Sequence, residues 1–372
     1  MISKGQSNFL NLTRWLAAGL VVLEHARNLF FRDYGNLESS NGFQKLFYFV
    51  TGFGHESVVV FFVISGFLVG GKTWDRWRDG QFHWRKYLAD RISRLYAVLF
   101  AALLIGGCLD WIGGHYFNST GYYTNEVSEP IAVINGSFVD RLSAKNLAGN
   151  LLMLQEVEVP TFGSNGPLWS LAHEWWYYLM FPLTLTVMKG SCRARVGAAA
   201  LLLAIISFLT PYILVLFGIW MIGVFGWWLN GKARIPFWVA FPLFLTGLLG
   251  MRLELMNEWP FAHHFVLGVG FAVLLNSFAN QNHFRVAGKL SKSLADFSYS
   301  VYLIHFPVLV ISISAFLSFT GSPERLNCTP FNLGWFLVFV LFSVGCAYVV
   351  SCVTEQRTQL VRHYLYRLFR VT

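Results

Sequence analysis

Arg14 and His25 lie eleven residues apart in NLTRWLAAGLVVLEHAR, an apolar run that an ionisable side chain enters at a cost of roughly 2.5–3.5 kcal/mol. On a helix that spacing is close to three turns, so both side chains share a face, about 16 Å apart along the axis. Such a pair suits a histidine base served by a remote cation. The competing reading has Arg14 snorkelling to headgroups and His25 at the interface beside Glu24. In GPLWSLAHEWWYYL (166–179), Trp169, Ser170, His173, Glu174 and Tyr177 bring polar groups into a second apolar run, with Ser170 and Glu174 on one face. At shallow depth on the side of His25, Glu174 would orient or charge-stabilise an imidazole. Otherwise it is a glutamate near a helix start within an aromatic belt.

Two further groups carry chemistry. The run 72–98, KTWDRWRDGQFHWRKYLADRISRLYAV, places Arg91 and Arg94 three residues apart near a helix start, where planar guanidinium groups could grasp phosphate. Anchoring to anionic lipid explains any one of these cations equally well. In DFSYSVYLIHFPV (296–308), Ser298, Tyr302 and His305 recur at spacings of four and three and line one face, as hydrogen-bond donors or as satisfied core groups. Tyr348 and Glu355, seven apart, are expected two turns along one face. The five cysteines form no Cys-x-x-Cys pair and no metal-ligand spacing, so no metal site or disulfide framework is expected.

The elements that must position these residues are membrane helices. Of 372 residues, 55% are hydrophobic and only 13% charged, too few charges to cover a soluble globule of this size. Ten segments have spanning character: about 8–31, 46–71, 96–113, 166–188, 195–210, 211–229, 235–250, 260–279, 294–317 and 332–353. Thr210-Pro211 reads either as a tight hairpin or as a kink in one element. Lys and Arg counts choose the hairpin: with the N-terminus inside, 20 of the 28 fall in cytoplasmic segments, 7 outside and Arg14 within the first span. That asymmetry puts both termini in the cytoplasm and accounts for the formal charge of +9 without nucleic acid as a partner. The first span lacks a cleavage site and is expected to stay. Residues 114–165 then face outside, and their apolar middle, LAGNLLMLQ, either re-enters the membrane or lies on its surface.

In order along the chain, Arg14-x10-His25, FFVISGFLVG (61–70), RISRLYAV (91–98), WSLAHEWWYY (169–178) and SYSVYLIHFPV (298–308), followed by Glu355, resemble the acyltransferase-3 family of integral membrane O-acyltransferases. Ala97 departs from the proline that family often carries there. The resemblance implies an all-α bundle of about ten transmembrane helices, a single domain over residues 1–372 with no appended hydrolase-like domain, in a bacterial cytoplasmic membrane. It implies acetyl-CoA or another acyl-CoA as donor substrate, no permanently bound cofactor, and a glycan, polysaccharide or glycolipid acceptor. Arg91, Arg94 and the deeper Arg14 would hold acyl-CoA, and His25 would act as base beside Glu174. Ser170, Tyr302 or His305 would donate to the oxyanion, with Ser298 on the same face, and Trp169 would stack on a sugar. A transporter using Arg14, His25 and Glu174 as a pathway is the alternative.

Overall fold

The computed structural model describes the chain except residues 1, 38, 233–234, 254, 256–260, 280–287, 323 and 372. Arg234 and Arg285 of the charge asymmetry, and the start of the eighth segment at 260, lie outside the described residues. Among the described residues the fold is all-α, with two isolated bridges and no strand. Helix α1 runs Lys4–Phe30, and the second expected segment is divided into α2 (Gly42–Val50), α3 (Gly54–Ser65), a π-helical turn (Gly66–Gly70) and α4 (Gly71–Arg78). Then come α5 (Trp84–Tyr116), the short α6 (Ala144–Leu151), α7 (Leu168–Lys189), α8 (Cys192–Phe208), α9 (Pro211–Leu229), α10 (Phe237–Arg252) and α11 (Ala262–Ser277). The last four are α12 (Gly288–Ala295), α13 (Ser298–Thr320), α14 (Pro330–Val353) and α15 (Thr358–Leu368).

Local chemistry sets many of these boundaries. Asn41 and Gln44 form a reciprocal capping box at α2, Ser143 caps α6, and Thr329 caps α14 ahead of Pro330. Leu209 and Thr210 are extended and Pro211 opens α9, so the fifth and sixth segments are two helices. Five stretches among the described residues are long and apolar enough to cross a membrane: Gly42–Arg78, Trp84–Tyr116, Pro211–Leu229, Ser298–Thr320 and Pro330–Leu368. Helix α1 carries Arg14, Glu24 and Arg27, while α10 and α11 have 16 residues each. The outer faces suit lipid: Phe100 and Leu104 on α5, and Leu337, Leu341 and Val349 on α14, are exposed.

The chain folds as two compact units. The first comprises Met1–Ala17, His55–Arg91 and Ser170–Ala295. In it the π-helical turn meets α9 backbone to backbone: a Cβ on Gly66 would strike Trp220 O, and one on Gly223 would strike Val63 O. Trp220 is fully buried at this contact. Small residues serve the same purpose between α10 and α11, where Gly247 faces the Leu267 backbone and Gly270 that of Phe244.

The second unit comprises Ala18–Gly54, Ile92–Trp169 and Asp296–Thr372. Phe30, Phe31, Phe316, Phe336 and Phe339 interlock at its core. The apolar middle of 114–165 does not lie apart from the helices. Tyr96 of α5 donates its hydroxyl to Leu151 O at 2.7 Å, and Asn165 Nδ2 donates to Leu303 O of α13 at 2.9 Å. Asn150 holds the segment together, donating to Pro160 O and accepting from Phe162 N. The segment is therefore tucked against two helices of spanning length, α5 and α13.

Pro182 and Pro307 sit inside α7 and α13. A proline lacks the N–H that would reach the carbonyl four residues back, here those of Tyr178 and Leu303. Each open carbonyl is taken by a side chain, Tyr178 O by the Tyr87 hydroxyl and Leu303 O by Asn165, both at 2.9 Å.

Candidate active site

In the second unit, His25 projects from α1 onto His305 of α13. Their rings stack 5.1 Å apart at 13°, with His25 Nδ1 2.8 Å from His305 Nε2, and Phe306 meets His25 edge-on. His305 is fully buried, and its Nδ1 lies 2.9 Å from Val301 O. A carbonyl only accepts, so His305 Nδ1 carries the proton and Nε2 is left as an acceptor. His25 Nδ1–H must then be the donor between the rings, and His25 Nε2 keeps its lone pair. The Val301 carbonyl thus sets, through one imidazole, the tautomer that leaves the lone pair on His25 Nε2.

The same face of α13 carries the other residues expected there. Tyr302 is buried with its ring 6.3 Å from that of His305, and Ser298 is buried one turn earlier. At the start of the helix, Ser300 donates its backbone N–H and hydroxyl to Glu355 Oε2 at 2.8 and 2.9 Å. Glu355 Oε1 accepts from Arg94 Nη1 at 3.0 Å, and Arg94 also lies over the Tyr299 ring. Arg94, expected as a phosphate ligand, is one-third exposed and uses Nη1 on this buried carboxylate. Glu355 does not continue α14 along the face of Tyr348, because α14 ends at Val353 and Glu355 opens a separate 3-10 turn.

In the first unit, Glu174 of α7 accepts hydrogen bonds from Ser65 Oγ at 2.5 Å and from the Tyr178 hydroxyl, while Trp220 Nε1 donates to Ser65 Oγ at 3.1 Å. The expected partnership with His25 is not among these bonds: Glu174 is held by Ser65 and Tyr178, and His25 by His305. Ser65 closes α3, next to the π-helical turn and the basic α4, so Glu174 stands nearer the basic run than its place in 166–179 suggested. Arg91 lies over the rings of Tyr87 and Tyr178 at 5.9 and 5.5 Å. Its buried Nε has no hydrogen-bond partner among the described residues. Lys72 feels the charges of both Arg76 and Arg91, and Arg76 pairs with Asp90 at 3.8 Å. Lys72, Arg76 and Arg91, the last with an unmet Nε–H, give this cluster the chemistry to hold an anion. Arg14 is half-buried on α1, Ser170 is buried at the start of α7, and Trp169, the last residue of 92–169 in the second unit, is half-buried.

Sequence reasoning missed Ser65, Tyr178 and Lys72, although all three lie in segments it singled out. It also missed the Val301 carbonyl, which no side-chain pattern reveals.

No curated protein and no solved structure matches the chain. A family model described as an acyltransferase domain matches residues 7–352, a stretch that includes most of α1, all of α2 to α13, nearly all of α14 and every site residue described above except Glu355. The chain is therefore a member of the acyltransferase-3 family.

Proposed function

We propose that this protein is an acyl-CoA-dependent membrane O-acyltransferase, an O-acetyltransferase in the first instance, acting on a hydroxyl of a glycan, polysaccharide or glycolipid. The observation that carries the reading is the Val301–His305–His25 chain, which leaves an imidazole lone pair on a helix within the matched family domain. His25 Nε2 takes the proton of the acceptor hydroxyl as its oxygen attacks the thioester carbonyl. The new C–O bond replaces the C–S bond, and the proton passes to the departing thiolate of CoA. Arg91, with Lys72 and Arg76, holds the CoA phosphates, and Arg14 guides the chain. Tyr302 or Ser170 donates to the oxyanion. Glu174, hydrogen-bonded to Ser65 and Tyr178, positions the donor rather than the imidazole. One domain of about ten spans in a bacterial cytoplasmic membrane, both termini inside, agrees with the charge asymmetry and with a family match running through both units.

The test is acetyl-CoA binding and slow hydrolysis by the purified protein in detergent, since neither needs the acceptor. Loss of hydrolysis in His25→Ala with binding retained, and weaker binding in Arg14→Ala and Arg91→Ala, is expected. A folded protein that neither binds nor hydrolyses acetyl-CoA would overturn the reading and point to a carrier.

A further inference from the structure

Past the last long helix the chain forms one more. Helix α14 has 24 residues, about 36 Å of helix and enough to cross the hydrocarbon core, so the 3-10 turn Glu355–Arg357 comes where the chain leaves it. The turn is fixed within its unit: Glu355 accepts from Ser300 and Arg94, and the Thr358 hydroxyl donates to Glu355 O at 2.6 Å. From this anchor α15 (Thr358–Leu368) divides its surface by chemistry. Leu360, Tyr364 and Leu368 recur every fourth residue and are 65%, 67% and 61% exposed, an apolar stripe about 12 Å long. Exposed Val349 and Val353 carry the apolar face of α14 to its end, and exposed apolar surface resumes at Leu360. Gln359, His363 and Arg367, all exposed, border the stripe on one side, and Arg357 and Arg370 stand exposed at its two ends. Residues 356–372 hold four arginines and no acidic side chain.

We infer that α15 is an interfacial helix that docks on anionic phospholipids of the cytoplasmic leaflet, with Leu360, Tyr364 and Leu368 among the outermost acyl carbons and Arg357, Arg367 and Arg370 on the phosphates. Stripe and charge together select this partner. A soluble polyanion such as CoA would meet the arginines and leave the stripe in water. A zwitterionic bilayer would cover the stripe and leave the exposed arginines without net counter-charge, since no acidic side chain shares the helix with them. A bilayer surface of net negative charge meets both needs. Tyr364, with an apolar ring and a polar tip, suits the headgroup level. The leaflet follows from the topology proposed above, whereas the lipid class does not depend on it.

The test places the full-length protein, cysteine-free but for Leu360→Cys carrying an environment-sensitive fluorophore, in phosphatidylcholine nanodiscs with or without phosphatidylglycerol. Quenching by spin-labelled phosphatidylglycerol is then compared with quenching by spin-labelled phosphatidylcholine at equal mole fraction. A blue-shifted fluorophore, quenched more strongly by the anionic lipid, is expected. Arg367→Gln and Arg370→Gln, both at exposed positions, should each lower that preference by up to about fivefold, the worth of one cation near an anionic surface. Added acetyl-CoA should leave the preference unchanged. A fluorophore that stays in water, equal quenching by the two lipids, or a preference indifferent to both arginine changes would overturn the assignment. Loss of the preference on adding acetyl-CoA would overturn it too, by giving these arginines to the donor. Nanodiscs expose both bilayer faces, so an inverted topology would leave the result intact and the two failures are distinguishable.

Discussion

At the scale of single residues, the groups that set the tautomer of His25, His305 and the Val301 carbonyl, sit on a different helix from His25 itself. His305→Leu removes the acceptor for His25 Nδ1–H and lets the proton move to Nε2, where it blocks the base. The expected result is a fall in kcat of between about 10²- and 10⁴-fold at unchanged KM for acetyl-CoA, by analogy with other groups that orient a catalytic imidazole. His305→Gln keeps an acceptor and should recover part of the loss; no recovery, or a change confined to KM, would count against the positioning role. Arg91 and Arg94 should also part company. Arg94→Ala leaves Glu355 buried and unpaired, at a cost of about 1–3 kcal/mol, discounted because Arg94 is one-third exposed. Thermal unfolding in detergent should register that change, whereas Arg91→Ala should weaken acetyl-CoA binding with little effect on the melting temperature. His25 stood out in the sequence because an imidazole in an apolar run is costly. Its partner was not, since His305 sits in a different helix and no spacing within one segment reports a distance between two. The same limit made Glu174 look like the natural companion of His25, when its hydrogen bonds run to Ser65 and Tyr178.

At the scale of elements, the contact between the π-helical turn and α9 tolerates no side chain. Gly66→Ala or Gly223→Ala drives a methyl group into backbone, and backbone cannot rotate away as a side chain can. Each substitution should cost roughly 1–3 kcal/mol, read as a lower melting temperature; Gly345→Ala, where nothing lies within 4 Å, is the matched control and should be neutral. The long apolar runs announced their helices well, and Thr210-Pro211 announced a boundary. The division of the second segment at Thr51–Phe53 was passed over, although Gly52 and Gly54, followed by His55, Glu56 and Ser57, interrupt the apolar run there. The start of α5 at Trp84 was hidden: its first turns are too polar to look like a span, yet helix propensity carries through them. The placement of 144–168 against α5 and α13 depends on Tyr96, Asn150 and Asn165, three polar side chains that locally resemble ordinary loop and helix residues.

At the scale of the whole molecule, the charge asymmetry predicts which loops face the cytoplasm. In a cysteine-free background, Ser128→Cys should react with an impermeant maleimide added to intact cells, while Arg85→Cys should react only after permeabilisation. The reverse pattern would invert the topology. Biosynthesis gives the two proline-opened carbonyls a further significance. A spanning helix with an unbonded carbonyl is a poor tenant of hydrocarbon until some other group reaches it. In this chain Tyr87 is translated before Tyr178, and Asn165 before Leu303. Each broken helix therefore leaves the ribosome after the side chain that will complete it, and neither has to wait for a partner not yet made.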